Sequence, residues 1–530
     1  MDSKDGPHDA PTPLPPNAAP LAVIDMGASA VRLTVAEVEA GGALRVLEES
    51  SRGVLLGKDT FTHGRITAPT MDATLKVLEG FRRIADGYGV ARLRAVATSA
   101  VREAANRDNF LDRVRLRAGL EVEVIDGSEE NRLTYMAVRD ALGDHPALRS
   151  GTALLVEIGG GSGDLSILVD GEPKFSGTYA LGAIRLRQGL GSWKGTHDRR
   201  VRLLGRHIHN VLEDIKREVA LREVRHFIAL GGDVRFAAGR LSPDGPGEGR
   251  HVVLEREPFL ALCDEISALE SEVLADRFRL GPADAETLAP ALLAYRALLD
   301  ETEARSVIVP AASLRLGLLL DMTRGGEAGR LADLSRQVLA SAAALGDRYR
   351  FDAAHGHAVA HLATRLFDDL RAEHGLSERD RLLLMVAALL HDIGIHVNRN
   401  GHHKHSQYLL VSSDIFGLTR EDLAIVGNVA RYHRRALPQK SHLSFAQLDR
   451  ETRVRVAKLA ALLRLANSLD AEHMQKVWDV HVRREGDEWV LDVEGAGDLT
   501  MERLTVQARA DLFAEVFGRR LVFRGTPGSA

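Results

Sequence analysis

The chain has 530 residues, of which 45% are hydrophobic and 27% are charged, and its formal net charge at pH 7 is −5. This composition is typical of a globular protein, so it excludes a fibrous repeat and a largely disordered chain. Because 69 basic residues are balanced by 74 acidic ones, a dedicated nucleic-acid-binding function is also disfavoured. The length exceeds what one hydrophobic core holds, and at about 150 residues per domain it predicts three or four domains.

Cysteine content and hydropathy predict a cytoplasmic protein. The single cysteine, Cys263, excludes an internal disulfide framework and is expected to be a small buried residue in a reducing compartment. No run of about 18 apolar residues occurs, and the first residues carry Pro, Asp and Asn where a secretion signal would be basic and then apolar. We therefore predict neither a membrane span nor secretion.

The first third of the chain is predicted to form a tail and one α/β lobe. Residues 1–20 are polar and rich in proline, which predicts a disordered tail. Residues 21–150 alternate between strand and helix patterns and are assigned to lobe I. Its strands are predicted at 22–37, 44–49, 93–98 and 120–125, with a turn at Gly41 and Gly42, and its helices at 67–88 and 106–117.

The remaining chain is predicted to form three further domains. Residues 151–326 repeat the α/β pattern as lobe II, with strands at 154–158, 165–169 and 227–229 and helices at 200–218 and 257–275. The composition changes around Gly325, and residues 331–477 are almost entirely helical, with 12 of the 21 histidines between His355 and His473. Residues 478–530 are predicted to form a small α+β domain, with strands at 480–484, 488–493 and 521–524 and one helix at 503–517.

Two glycine turns give the strongest functional signal. The apolar strand at 154–158 leads into Gly159-Gly160-Gly161-Ser162, with Glu157 and Asp164 on either side. Glycine allows successive backbone N–H groups to close around an anion, and it has no Cβ to exclude a phosphate. A second apolar strand with an acid and a glycine turn lies about 130 residues earlier, at 21–33. The duplication predicts two similar lobes whose turns face each other across a phosphate site.

Three segments resemble a known family. Val96-Ala97-Thr98-Ser99-Ala100-Val101-Arg102-Glu103-Ala104, the segment 123–133 around Glu129-Glu130-Asn131, and the turn at 159–162 closely resemble the exopolyphosphatase and guanosine pentaphosphate phosphohydrolase (Ppx/GppA) family. Their order and spacing match as well, and the resemblance covers roughly residues 21–484. It implies an α/β fold of two actin-like lobes, of the RNase H-like sugar kinase and actin ATPase superfamily. An all-α HD-type domain and a small α+β domain would follow these lobes.

The resemblance also implies an activity and a homodimer, since family members of this length are commonly dimers. Members remove the terminal phosphate of inorganic polyphosphate, or the 5′-terminal phosphate of guanosine pentaphosphate, with Mg²⁺ or another divalent cation. Glu130 matches the family position of the base that activates water, and its carboxylate can accept the proton. Arg102 is predicted to clamp phosphate oxygens. Asp25, Glu157 and Asp164 are the candidate Mg²⁺ ligands. The predicted phosphate-binding residues are Gly27, Ser29, Thr98, Ser99, Gly159, Gly160, Gly161, Ser162, Gly231 and Gly232.

Several positions depart from the family pattern and keep a second function open. Ala28 replaces a polar residue in the first turn, Asp233 adds an acid at the third turn, and Ala311 lies in a late motif that is otherwise largely lost. Glu157 stands where the family has Asp, and Asp164 stands where the family has Glu. The longer side chain on one side of the turn would compensate for the shorter one on the other side. The alternative function is therefore a catalytically weakened sensor or regulator that binds polyphosphate or guanosine polyphosphates.

The helical region carries a third alternative. His355, His391, Asp392, His405 and His433, with His403 in place of His405 as an option, resemble the ligands of HD-type metal phosphohydrolases. Where active HD enzymes have their last aspartate, this chain has Asn467, and Asp470 lies one turn away. The resemblance favours a non-catalytic support or polyphosphate-binding domain over a metal phosphohydrolase. A basic cluster suits the binding of a long polyanion, and it consists of Lys404, Arg431, Arg434 and Arg435.

Overall fold

The computed structural model describes residues 19–40, 42–188, 196–243, 250–323 and 327–525. The chain divides into two compact units, unit 1 at Met1–Arg330 and unit 2 at Leu331–Ala530. Nearly all of the predicted tail at 1–20 lies outside the described residues, as do Gly41 of the first predicted turn and Gly325 at the predicted change of composition. No helix in the described part of the chain is long and apolar enough to cross a membrane.

The first sheet of unit 1 has five strands in the order β3-β2-β1-β4-β5. The strands are β1 (Leu21–Met26), β2 (Ala30–Val38), β3 (Leu44–Gly53), β4 (Arg92–Ala97) and β5 (Val122–Val124). The helices of this half are α1 (Leu56–His63), α2 (Ala68–Gly87), α3 (Ser99–Arg102), α4 (Arg107–Ala118) and α5 (Gly127–Leu142). Strands β1, β2 and β3 pair antiparallel, whereas β4 and β5 extend the sheet in parallel with β1.

The second sheet of unit 1 has six strands in the order β10-β11-β9-β6-β7-β8. The strands are β6 (Thr152–Ile158), β7 (Gly163–Val169), β8 (Glu172–Tyr179), β9 (Val224–Leu230), β10 (His251–Glu255) and β11 (Ser306–Pro310). The helices are α6 (Ala183–Gln188), α7 (His197–Glu218), α8 (Gly232–Leu241), α9 (Arg256–Ser267), α10 (Ser271–Phe278), α11 (Pro282–Asp300) and α12 (Leu314–Thr323).

The two sheets repeat one arrangement around their central strands. In each, an antiparallel hairpin, β1–β2 or β6–β7, lies beside a parallel strand, β4 or β9. All six residues of β1 are buried, and five of them are apolar, as expected for a central strand that is covered on both faces. The α/β prediction with two similar lobes is confirmed. The ends of the parallel strands, where such folds bind ligands, carry the glycine turns and acids.

Unit 2 combines helices with a three-stranded sheet in the order β12-β13-β14. Its helices are α13 (Glu327–Arg348), α14 (Ala353–Asp369), α15 (Arg371–His374), α16 (Glu378–Leu390), α17 (His402–Ser412), α18 (Arg420–Arg431), α19 (Leu443–Ala446), α20 (Arg450–Ser468), α21 (Thr500–Arg509) and α22 (Asp511–Phe517). Its strands are β12 (Val477–Glu485), β13 (Glu488–Gly495) and β14 (Leu521–Gly525). Helices and sheet share one hydrophobic core, in which Val359 and Leu462 belong to the same cluster as Leu491 and Phe513.

Two predicted helices are each broken into two. The helix predicted at 257–275 ends with α9 and restarts with α10, because Glu270 takes an extended conformation with φ −70° and ψ 154°. The helix predicted at 503–517 divides at Ala510 into α21 and α22. Neither break contains glycine or proline. Leu269 and Ala510 pack against the cores of their units, so tertiary packing sets both breaks.

Candidate active site

The two glycine turns face each other in unit 1, as the sequence predicts. They line one cavity of about 390 Å³ between the two lobes. At the contact between the turns, a Cβ added to Gly160 would lie 3.0 Å from the Cβ of Ala28. All ten predicted phosphate-binding residues line this cavity, namely Gly27, Ser29, Thr98, Ser99, Gly159, Gly160, Gly161, Ser162, Gly231 and Gly232. The duplicated motif thus builds a single concave site.

The geometry of the second turn explains its glycines. Gly159 donates its N–H to the carbonyl of Ser162 at 2.9 Å, while the N–H groups of Gly160 and Gly161 have no protein acceptor among the described residues. A Cβ on Gly161 would lie 2.3 Å from Ser99 Oγ and 2.4 Å from Phe61 Cζ, which no side chain can tolerate. The turn therefore fits tightly against lobe I while keeping backbone donors available for an anion.

A buried tyrosine holds the turns of lobe II in place. Ile158, at the end of β6, donates its N–H to Tyr295 Oη at 2.8 Å, and the Tyr295 hydroxyl donates to the carbonyl of Leu230, at the end of β9. The next residue, Gly231, precedes α8 with φ +114°, a conformation that favours glycine. Tyr295 thus connects the strand ends that carry two of the phosphate-facing turns. No sequence pattern marks Tyr295 for this role.

The predicted metal ligands gather at the same end of the cavity. Glu157 and Asp164 are directly opposite each other across the β6–β7 ladder. Burial and then the charge of Asp164 raise the pKa of Glu157 to about 7, while burial raises the pKa of Asp164. Asp164 accepts hydrogen bonds from Thr178 Oγ1 at 2.6 Å and from Ser162 Oγ at 3.0 Å. Opposed carboxylates of this kind favour a bound cation, because a cation relieves their repulsion.

Asp25 occupies the equivalent position of the first hairpin. It lies opposite Arg32 in the β1–β2 ladder, with 3.7 Å between Arg32 Nη1 and Asp25 Oδ2. Burial raises the pKa of Asp25, and Arg32 partly offsets that effect. The second oxygen, Oδ1, is buried, and no group of the described residues donates a hydrogen bond to it. A buried acceptor without a donor fits a cation ligand.

Glu130 is held by the residue that the sequence predicts as a phosphate clamp. Glu130 lies in the first turn of α5, and the side chain of Asp126 caps this helix. Arg102 Nη1 donates to Glu130 Oε1 at 2.8 Å and to the Ile125 carbonyl at 2.5 Å. Burial, followed by the charge of Asp164, raises the pKa of Glu130 well above its usual value, against the opposing effect of Arg102. Glu130 lines the cavity, whereas Arg102 is not among the described residues that line it.

Three arginines that the predicted site omits line the cavity: Arg32, Arg235 and Arg315. Arg315 Nη1 donates to Thr34 Oγ1 at 2.6 Å, which fixes its side chain against β2. Arg32 could have been found from its position in β2, opposite Asp25. Asp233 also lines the cavity, and burial and then the charge of Asp284 raise its pKa to about 6. This end of the cavity is therefore mixed in charge.

The structure gives Ala28 a packing role. Ala28 is buried, and Cβ atoms added to Gly57 and Gly160 would lie 2.8 and 3.0 Å from its own Cβ. A methyl group at this position thus lies between two close backbone approaches. Compared with the family pattern, Ala28 lacks the hydrogen-bond donor of a polar side chain, but the backbone of the turn stays closely packed.

In unit 2 the structure brings together four of the five predicted HD-type ligands, which are His355, His391, Asp392 and His433. The described residue of this group that contacts Asp392 is His402, rather than the predicted His405 or its alternative His403. His402 is the buried residue at the start of α17, and its Nε2 lies 3.1 Å from Asp392 Oδ1 and 3.2 Å from His433 Nε2. His403 is rotated about 100° from His402 around the helix, and His405 lies about one turn further along it.

Asp470 contacts His355 Nδ1 at 2.8 Å and so orients this imidazole. Asp470 therefore does not take the place of the last acid of the HD-type pattern, where this chain has Asn467.

A two-lobed α/β fold whose cleft combines glycine turns with carboxylates is that of a phosphate-handling enzyme. The model of the Ppx/GppA phosphatase family matches residues 34–325, and that of Ppx/GppA phosphatase domain III matches residues 336–510. The chain therefore belongs to the Ppx/GppA phosphatase family, and the prediction of a hydrolase is confirmed.

Relatives and solved structures agree with this assignment. The chain is 26% identical over 506 residues to the guanosine-5′-triphosphate,3′-diphosphate pyrophosphatase of Vibrio campbellii, covering 92% of this chain and 95% of that protein. It is 37% identical over 166 residues to exopolyphosphatase 1 of Mycobacterium tuberculosis, covering 31% of this chain and 47% of that protein. The crystal structure of an exopolyphosphatase from Cytophaga hutchinsonii has a TM-score of 0.53 and 23% identity, covering 57% of this chain and 97% of that chain. This last likeness shows the fold.

Proposed function

We propose that unit 1 hydrolyses the terminal phosphoanhydride bond of inorganic polyphosphate, with the 5′-terminal phosphate of guanosine pentaphosphate as its second candidate substrate. The observation that carries the proposal is the convergence of two glycine turns, Glu130 and the three predicted cation ligands, Asp25, Glu157 and Asp164, in one cavity. The turns offer backbone N–H groups to a phosphate, and the acids supply a base and cation ligands.

A divalent cation fits the acidic end of the cavity. The ligand atoms on offer are carboxylate oxygens, which Mg²⁺ prefers. Asp25 Oδ1 is buried, and none of the described residues donates a hydrogen bond to it. Asp25, Glu157 and Asp164 would hold the ion. When bound, it would neutralise negative charge on the phosphate that is transferred.

Glu130 is proposed as the general base. In the reaction, the oxygen of water forms a bond to the terminal phosphorus, the bond from that phosphorus to the bridging oxygen breaks, and the shortened chain leaves with the electron pair. The carboxylate of Glu130 takes the proton from the attacking water. Arg102 is a positioning residue, because its hydrogen bond to Oε1 fixes the direction in which Glu130 points. Arg32, Arg235 and Arg315 would neutralise the polyphosphate next to the reacting group.

The binding-only alternative is favoured by one observation. Asp233 places a half-buried carboxylate beside the third turn, where it repels phosphate. A protein weakened in this way would still bind the polyanion through the other two turns and the arginines. Turnover distinguishes the two functions.

The test is phosphate release from long-chain polyphosphate and from guanosine pentaphosphate in the presence of Mg²⁺. We expect release by the wild-type chain and by His391→Ala/Asp392→Ala, and almost none by Glu130→Gln. Binding of polyphosphate without turnover by the wild type would support the sensor. Loss of phosphate release in His391→Ala/Asp392→Ala alone would show that the reaction takes place in unit 2.

A further inference from the structure

Five histidines and one aspartate of unit 2 surround a common point. Asp392 follows α16, and around it are His355 from α14, His391 at the end of α16, His402 from α17 and His433 after α18. His473, after α20, stacks on His355 with 3.6 Å between ring centroids. Four of these imidazoles are buried, whereas His473 is largely exposed. The cluster thus has one side open to solvent.

The hydrogen bonds of the buried imidazoles fix their tautomers. His391 Nδ1 lies 2.7 Å from the Ala388 carbonyl, His402 Nδ1 lies 2.9 Å from the Arg399 carbonyl, and His433 Nδ1 lies 2.6 Å from the Ala430 carbonyl. A carbonyl can only accept, so each Nδ1 must carry the proton and donate it. Each Nε2 is then left with a lone pair.

Carboxylates fix the other two rings in the same way. His355 Nδ1 donates to Asp470 Oδ2 at 2.8 Å, and His473 Nδ1 donates to Asp352 Oδ2 at 3.0 Å. A histidine whose outer nitrogen donates to a carbonyl or carboxylate is typical of a metal ligand, because the bond orients the ring and raises its basicity. All five rings share this arrangement.

The lone pairs converge at distances that favour a bound cation. His355 Nε2 lies 3.3 Å from His391 Nε2, and His402 Nε2 lies 3.2 Å from His433 Nε2. Two lone pairs at such a distance repel each other unless a positive charge lies close by. Asp392 Oδ1 is also buried, and no group of the described residues donates to it.

We propose that unit 2 binds a pair of divalent first-row transition-metal ions bridged by Asp392. His355 and His391 hold one ion, and His402 and His433 hold the other. The ligand atoms of His391, Asp392 and His433 lie within 4.8 Å of one another, and His402 Nε2 lies 3.1 Å from Asp392 Oδ1. Imidazole nitrogens select Mn, Fe, Ni, Co or Zn over Mg²⁺. The centre is therefore chemically distinct from the carboxylate site of unit 1.

The test is the metal content of the full chain. Protein stripped with chelator is incubated with Co²⁺ in excess Mg²⁺, desalted, and measured by mass spectrometry and by the visible absorption of Co²⁺. We expect about two equivalents of cobalt in the wild type, about one in His402→Asn/His433→Asn, and none in His391→Ala/Asp392→Ala. His403→Ala and His405→Ala are matched controls, since they remove neighbouring imidazoles outside the cluster, and both should keep the full content.

Two results would overturn the proposal: a wild-type chain that retains no cobalt, or a His391→Ala/Asp392→Ala variant that retains as much as the wild type. Circular dichroism checks that each variant is folded, and Asp392→Asn provides a variant of equal size if the double variant is not. Glu157→Gln, which alters unit 1, should leave the Co²⁺ absorption unchanged. Failure of this proposal is thereby distinguishable from failure of the proposed hydrolysis in unit 1.

Discussion

The protonation of Glu157 should make Mg²⁺ binding depend on pH. Burial and the charge of Asp164 raise the pKa of Glu157 to about 7, so the metal-free folded protein holds this proton below that pH. A cation binds the carboxylate form and not the protonated acid. Below pH 7, cation binding must therefore displace the proton from Glu157. The side chain is about nine-tenths protonated at pH 6 and one-tenth at pH 8. Observed affinity should accordingly be about tenfold weaker at pH 6 than at pH 8.

Isothermal titration calorimetry measures this linkage directly. Mg²⁺ titrations of the His391→Ala/Asp392→Ala protein in two buffers of different ionisation enthalpy give the protons released, and we expect at least about 0.5 at pH 7. Glu157→Gln should bind Mg²⁺ more weakly and lose most of the pH dependence. Glu121→Gln, which removes the same charge from an exposed position, should behave as the parent protein does. Equal affinity at pH 6 and pH 8 in the parent would show that Mg²⁺ binding does not displace a proton from Glu157.

Three further changes in unit 1 have measurable consequences. The raised pKa of Glu157 stabilises the fold below pH 4.5, and this stability is lost as pH rises through 7. Glu157→Gln should therefore stabilise the metal-free protein against urea by about 3 kcal/mol at pH 8 and by little at pH 5, and equal gains at both pH values would contradict this prediction. Exchanging the acids in Glu157→Asp/Asp164→Glu should preserve phosphate release better than either single change, and a double variant as poor as the worse single one would exclude compensation. Tyr295→Phe leaves the Ile158 N–H without its acceptor and should cost about 1–3 kcal/mol, so an unchanged melting temperature would show that this bridge is dispensable.

The lobes of unit 1 were predictable because their signal is local. Each hairpin combines an apolar strand, an acid and a glycine turn within 13 residues, and duplication of that pattern gave the facing turns. The breaks after α9 and α21 were not predictable, because no glycine or proline marks them. The packing of Leu269 and Ala510 against core residues that are distant in sequence sets these breaks.

The roles of single side chains were harder to predict than the site itself. Arg102 has the residue type of a phosphate clamp, but only the structure shows that its guanidinium contacts Glu130. His402, His403 and His405 are equivalent as a pattern, and the start of α17 decides which of them faces Asp392. Tyr295 carried no sequence signal, since its contacts are to β-strand ends far along the chain.

The most direct test of the proposed reaction separates binding from turnover at Glu130. Glu130→Gln keeps the shape of the side chain but cannot accept the proton of the attacking water, so kcat for phosphate release from polyphosphate should fall about 10²–10⁴-fold with KM little changed. Glu129→Gln is the matched control, because Glu129 is the neighbouring acid on α5 and is bound to Arg132 at 2.8 Å outside the cavity. It should keep the wild-type rate. A Glu130→Gln protein that hydrolyses polyphosphate as fast as the wild type would contradict the account.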